Sequence, residues 1–215
     1  MSEIIRLDIN TDSIKYLCTK DKRLAKVISM VGTITYEPYK DSYRFLIKTI
    51  IGQMLSNKVA DIISERLEVL CNGTINPNII SNLSNDDIRS IGISKSKVSY
   101  IRNLTEEIKS GNIDLSEFPC LPDKEIINKL TSIRGIGHWT AKMYLLFVLD
   151  RQDILPYEDI AFLQGYKWVY KTDNYTPAAV SAKCKKWKPY SSIAARYLYR
   201  ALDSGLTKEG FHLYK

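Results

Sequence analysis

The segment Leu130-Thr131-Ser132-Ile133-Arg134-Gly135-Ile136-Gly137-His138-Trp139-Thr140-Ala141 has a spacing that can grip an anion. Leu130 and Ile133 lie one helical turn apart and pack the end of one helix. Gly135 and Gly137 are expected to supply the positive φ angles of a tight helix-to-helix reversal. They also leave no side chain in front of the backbone amides that open the next helix. Such amides, at a helix N-terminus, form a site for phosphate. Ala141 is small, so the two helices can cross closely. An ordinary αα-hairpin would use the same glycines for packing alone. The flanking apolar positions, Ala141 and the basic chain favour phosphate. Farther on, Leu155-Pro156-Tyr157-Glu158-Asp159-Ile160 places an acidic pair after a proline. Capping of the next helix would by itself explain an aspartate there.

The elements that must position these residues read as helices. Leu24, Val27, Ile28 and Val31 recur at helical spacing before Gly32. A second helix begins near Asp41 and Ser42, with Phe45, Leu46, Thr49 and Ile50 on one face. After Gly52-Gln53-Met54-Leu55-Ser56 the pattern resumes at Val59, Ile62, Ile63, Leu67 and Leu70, with the Ser56 hydroxyl as the expected N-cap. Short helices are expected from Asn76-Pro77 and from Ser84, then a longer one over 94–108. Helices at about 123–130 and 138–149 flank the hairpin loop. Pro156 keeps 150–159 out of helix. Further helices are expected at about 159–170, 176–186 and 189–203. No strand is expected beyond the first few residues.

Composition bounds the partners. The 215 residues carry a formal net charge of +7, which favours an anionic partner. A hydrophobic fraction of 45% and a charged fraction of 26% are those of a globular domain. Cys18, Cys71, Cys120 and Cys184 are scattered, which argues against structural zinc or an iron–sulfur cluster and fits a reducing compartment. The N-terminal stretch Met1 to Asn10 contains acids and no long apolar core, so no signal peptide is expected. The longest apolar run, Met143 to Leu149, is too short for a membrane span. Lys58, Lys95, Lys97, Arg134 and Lys142 could neutralise phosphates, although each reads first as a solvated charge. Lys183, Lys185 and Lys186 read as a solvated helix face.

Four ordered segments carry a family resemblance. The hairpin with Asp159 resembles that of the helix-hairpin-helix (HhH-GPD) DNA glycosylase superfamily, and Gly135 to Ala141 is similar to its 3-methyladenine DNA glycosylase II (AlkA-like) branch. Ile51-Gly52-Gln53-Met54-Leu55-Ser56 resembles the branch's Ile-x-Gln-x-x-Ser segment. Gly92-Ile93-Ser94-x-x-Lys97 resembles its Gly-x-Ser-x-x-Lys segment. Trp187-Lys188-Pro189-Tyr190-Ser191-Ser192-x-Ala194 resembles its Trp-x-Pro-Trp-Arg-Ser-x-Ala segment, with Ser191 in place of the arginine. The resemblance covers about residues 40 to 203.

That resemblance implies removal of a damaged base from deoxyribose through an oxocarbenium-like transition state. It makes the second acid of the pair, Asp159, the catalytic carboxylate, which would stabilise the sugar cation and orient water. Branches that also cut the strand carry a lysine at position 139 that forms an imine. Trp139 cannot do so, which implies a monofunctional enzyme. Trp139, Met143 and Tyr199 fall at pocket positions, where aromatic faces attract cationic alkylated purines. Met54 aligns with the wedge that fills the gap left by a flipped base, beside Gln53. Arg134, Gly135, Gly137, His138 and Thr140 fall at the DNA-contacting hairpin.

The expected fold is all-α, with two helical lobes flanking a DNA-binding cleft. Residues 41–149 would form the lobe with the hairpin, and 1–40 plus 150–215 the lobe with Asp159. The expected partner is double-stranded DNA containing damaged bases, met by a cytoplasmic monomer (nucleoid-associated in a bacterium) with no membrane contact. No cofactor or metal is required, although relatives hold a monovalent cation in the hairpin. The rival readings are a bifunctional lyase on oxidised bases and a hairpin module that only binds DNA.

Overall fold

A computed structural model describes residues 4–214. Residues 1–3, the first part of the stretch weighed against a signal peptide, and residue 215 lie outside the described residues. The chain divides into two compact units. One is Tyr39–Leu149; the other joins the residues up to Pro38 to those from Asp150 on. The expectation of a helical protein holds, with the details below.

The discontinuous unit opens with β1 (Ile5–Leu7), α1 (Asp12–Lys20), α2 (Lys22–Val31) and β2 (Ile34–Tyr36). The Asp21 carboxylate starts α2 by accepting the Arg23 and Leu24 amides at 3.0 and 3.3 Å. Gly32, with φ 74°, ends it. β1 and β2 pair antiparallel, Leu7 opposite Ile34. β2 corrects the expectation of no later strand. Three residues are too few to display alternation, and the pair forms because Leu7 and Ile34 both bury. The helix α1 also escaped the sequence pattern, since only Ile14 and Leu17 mark its apolar face.

The continuous unit holds α3 (Ser42–Gly52), α4 (Asn57–Leu70), α5 (Pro77–Asn82), α6 (Asn85–Ser90), α7 (Lys95–Lys109), α8 (Asp123–Thr131) and α9 (His138–Phe147). Caps fix most of the starts. Asp41 accepts the Arg44 amide at 2.8 Å, Asn76 the Ile79 amide at 2.9 Å, and Ser84 and Asp87 form a capping box. Ser56 precedes α4, but its hydroxyl makes no capping bond, contrary to expectation. α3 packs against α4, α7 and α9, and α8 packs against α9. α9 buries every residue from Thr140 to Leu146, the signature of a central helix rather than a surface one.

The chain returns to the first unit with α10 (Ile160–Tyr170), α11 (Pro177–Cys184) and α12 (Ser191–Asp203). α12 packs against α10 and α2. Inside this unit the buried Asp21 also accepts Trp187 Nε1 at 2.9 Å, the Tyr170 hydroxyl, and Lys186 Nζ at 3.0 Å. Burial pushes its pKa up, but these donors outweigh burial and hold it below the usual carboxylate range. The lysines of 183–186 are therefore not a plain solvated face. Lys186 pairs with Asp21, and Lys183 and Lys186 both approach the Tyr170 ring, at 5.1 and 5.5 Å. Among the described residues, no helix is long and apolar enough to cross a membrane.

Candidate active site

The hairpin runs from the last turn of α8 into α9. Leu130, Ile133 and Ile136 are buried beneath it. Gly135 sits at φ 106°, and a Cβ there would lie 2.2 Å from Cγ of Tyr100. No side chain fits that space, so glycine is required on two counts. Gly137 departs from expectation. Its φ of −99° and ψ of 177° are extended, and a Cβ there would meet nothing within 4 Å. Its value lies in the open space before the first amides of α9, not in a left-handed turn. Arg134, Gly137 and His138 are exposed. Thr140 is not, at 1% exposure, because the third residue of α9 turns into the core. Its side chain is therefore buried, and Thr140 sits in the first turn of α9 beside the exposed Gly137 and His138. Trp139 is half-buried and Met143, four residues on along the same helix face, is buried.

A second loop joins the hairpin from α3. The Leu55 amide donates to the Gly52 carbonyl at 3.1 Å and closes a turn. Gln53 has φ −52° and ψ 127°, and Met54 has φ 58°. These angles fit a type II turn, whose third residue favours glycine. A methionine occupies it, with its side chain fully exposed. The Gln53 side chain is already engaged, since Nε2 donates to the Gly135 carbonyl at 3.0 Å. Asn103 Nδ2 donates to the neighbouring Arg134 carbonyl at 3.1 Å.

Two lysines differ from their reading as solvated charges. Lys97 Nζ donates to the carbonyls of Ile51 and Gln53 at 2.8 and 2.7 Å. Burial lowers its pKa. Lys142 is only 9% exposed. Lys97, Tyr100 and Asn103 were not singled out as a group, although their spacing of three along α7 puts them on one face.

In the other unit, Asp159 is the N-cap of α10, and its Oδ1 accepts the Phe162 amide at 2.7 Å. The adjacent acids are told apart by burial, for Asp159 is 9% exposed while Glu158 is exposed. Tyr199, on α12, faces Asp159. Burial first, then the charge and hydrogen bonding of Asp159, push the phenol well above its ordinary pKa, with Arg196 acting in the opposite sense. Arg196, absent from the sequence-based candidates, is held by Asp150 Oδ1 at 2.9 Å and lies 3.8 Å over the Tyr36 ring. Its only sequence signal was a charge on an otherwise apolar helix face. Ser191, at the position of the family arginine, is buried and donates its hydroxyl to Asp153 at 2.5 Å. Lys188 Nζ pairs with the same carboxylate at 3.2 Å, so this acid is served without an arginine. No grouping of three or more His, Cys, Asp or Glu among the described residues could hold a metal.

Comparison with known proteins places these features in context. The family model of the HhH-GPD superfamily base excision DNA repair proteins matches residues 47–189. The chain is 33% identical over 171 residues to the Bacillus subtilis protein YfjP, across 75% of this chain and 59% of that one. It therefore spans little more than half of that relative's length. It is 29% identical over 194 residues to DNA-3-methyladenine glycosylase 1 of Schizosaccharomyces pombe, across 86% of this chain and 84% of the other. A crystal structure of a DNA-3-methyladenine glycosidase from Bacillus halodurans is similar with a TM-score of 0.84 and 31% identity, covering 97% of each chain. The S. pombe 3-methyladenine DNA glycosylase Mag1 in complex with abasic DNA is similar with a TM-score of 0.81 and 27% identity, covering 95% of this chain and 100% of the other.

Proposed function

Because the chain belongs to the HhH-GPD superfamily of base excision DNA repair proteins, we propose that it is a monofunctional DNA N-glycosylase that excises alkylated purines of the 3-methyladenine type. The observation that carries this reading is Asp159, a buried carboxylate oriented by the Phe162 amide at the start of α10. The activities for which the relatives are named supply the substrate class.

The amides of the hairpin, from Gly135 through the first turn of α9, receive a DNA phosphate, assisted by Arg134 and His138. Met54 enters the stack when the damaged nucleotide leaves it, and Gln53 holds the wedge loop to the hairpin. Trp139 and Met143 offer an aromatic and a polarizable face to the cationic base. The bond between the purine nitrogen and C1′ breaks with its electron pair leaving on the base, which departs neutral. The sugar becomes oxocarbenium-like, and the Asp159 carboxylate stabilises that charge. Water adds to C1′ and loses a proton, giving an abasic site in an intact strand. Tyr199 orients the carboxylate. No resident cofactor is needed for so good a leaving group. The enzyme acts as a monomer in a reducing compartment with its DNA.

Borohydride trapping tests the monofunctional assignment. With Trp139 in place of an amine, no covalent protein–DNA adduct and no strand cut should accompany base release. A trapped adduct would move the protein to the lyases.

Met54→Gly tests the wedge. Glycine relieves the positive φ at this position, worth about 1–2 kcal/mol to an L-residue and partly offset by glycine's chain entropy. Stability in urea should therefore hold or rise slightly, while single-turnover excision from paired duplex falls at least about tenfold, the equivalent of 1.4 kcal/mol. An unchanged rate would remove Met54 from the wedge position.

A further inference from the structure

We propose that Lys97 is a positioning residue that locks the loop carrying Met54 to the hairpin, an inference that rests on the wedge reading above. α3 stops at Gly52, and the last carbonyls of a helix have no partner within it. Lys97 Nζ supplies one to Ile51 and also takes the Gln53 carbonyl two residues on, at 2.8 and 2.7 Å. The same Gln53 reaches from its side chain to the Gly135 carbonyl at 3.0 Å. One residue is thus gripped at its backbone by α7 and at its side chain by the hairpin.

α7 holds the hairpin as well. Tyr100 lies so close beneath Gly135 that a Cβ would collide with it, and Asn103 donates to Arg134. Lys97, Tyr100 and Asn103 follow at intervals of three on one helix face, each touching the loop or the hairpin. The Ser94 hydroxyl accepts the Lys97 amide and fixes where the helix begins. This gives a physical reason for a serine three residues before a lysine in the Gly-x-Ser-x-x-Lys segment. The serine sets the register and the lysine reaches the end of α3, where the negative pole of the helix favours a cation.

Met54 is the next residue after the carbonyl that Lys97 holds. Its positive φ is unfavourable for a side-chain-bearing residue and persists only where its surroundings impose it. Without the two Lys97 bonds the Gln53–Met54 peptide is free to rotate, and Met54 relaxes out of the turn. Lys97 acts through Met54 and Gln53, with no contact to the reacting atoms required.

The test compares Lys97→Met, which keeps the stem and removes the donors, with Lys97→Arg, which keeps donors. Hydrogen exchange at the Leu55 amide, whose bond to the Gly52 carbonyl closes the turn, should quicken at least tenfold in Lys97→Met and not in Lys97→Arg. In single-turnover assays on N-methylated DNA, Lys97→Met should lose at least tenfold on paired duplex, where the gap must be filled. It should lose little on the same lesion in an unpaired bulge. Binding to undamaged duplex through the hairpin should stay within threefold. Unchanged exchange at Leu55 would overturn the inference, as would equal losses on paired and bulged DNA. If wild type releases no base from either DNA, the glycosylase reading fails, and exchange alone then decides whether Lys97 holds the loop.

Discussion

Asp159→Asn is expected to lower base release by about 10²–10⁴-fold, the range typical of a positioned acid or base, while leaving the fold unchanged. The separation of these two effects follows from geometry. Asp159 Oδ1 accepts the Phe162 amide as the cap of α10, and asparagine caps a helix about as well as aspartate. The substitution therefore preserves the cap, removes the negative charge and turns the second oxygen, an acceptor, into a donor NH2. That charge is what a developing sugar cation needs nearby. Duplex binding should persist, since no phosphate contact is removed. Single-turnover release, a thermal melt and a binding titration read the three quantities. Glu158 provides the control, because it is exposed, and neutralising it should leave release within about twofold. Release that survives in Asp159→Asn would reduce the residue to a helix cap.

Gly135→Ala should have the largest structural effect. The added Cβ would meet Cγ of Tyr100 at 2.2 Å, and φ at this position is 106°. Overpacking costs about 1–3 kcal/mol and a positive φ on an L-residue about 1–3 more. A loss of about 2–5 kcal/mol in urea unfolding is expected, with DNA binding weakened at least tenfold because the loop amides lose their arrangement. Gly137→Ala serves as the contrast. Its φ of −99° is ordinary and no atom lies within 4 Å of the new methyl. Stability should change little, and any loss should fall on DNA affinity, since the methyl would stand at the proposed phosphate site. Similar unfolding curves for the two variants would contradict the different reasons assigned to the two glycines.

The hairpin was legible because glycine, spaced apolar residues and a small alanine each encode a local backbone requirement. What the pattern could not separate was the reason for each glycine. Gly135 answers to a tyrosine on a different helix, and nothing near it in sequence announces Tyr100. The lysines show the same limit. A lysine reads as solvated by type, but Lys97 ends on two carbonyls 44 and 46 residues away in the chain. Its role exists only once α3 and α7 pack together. Choosing between Glu158 and Asp159 needed the family pattern, and burial of the second acid gives an independent ground for that choice. The helix α1 and the strand β2 went unseen because two or three buried residues are too few to set up a period. Arg196 was missed for a related reason. Its partners, Asp150 and Tyr36, come from segments distant in sequence.

The most direct measurement is mass spectrometry of free bases after incubating the protein with an N-methylated duplex, with the strand followed on a gel under conditions that preserve abasic sites. Free 3-methylpurine in the supernatant, an intact strand bearing an abasic site, and both products reduced at least about a hundredfold with Asp159→Asn are the expected results. No free base from the wild-type protein under conditions where it binds the duplex would contradict base excision as its function.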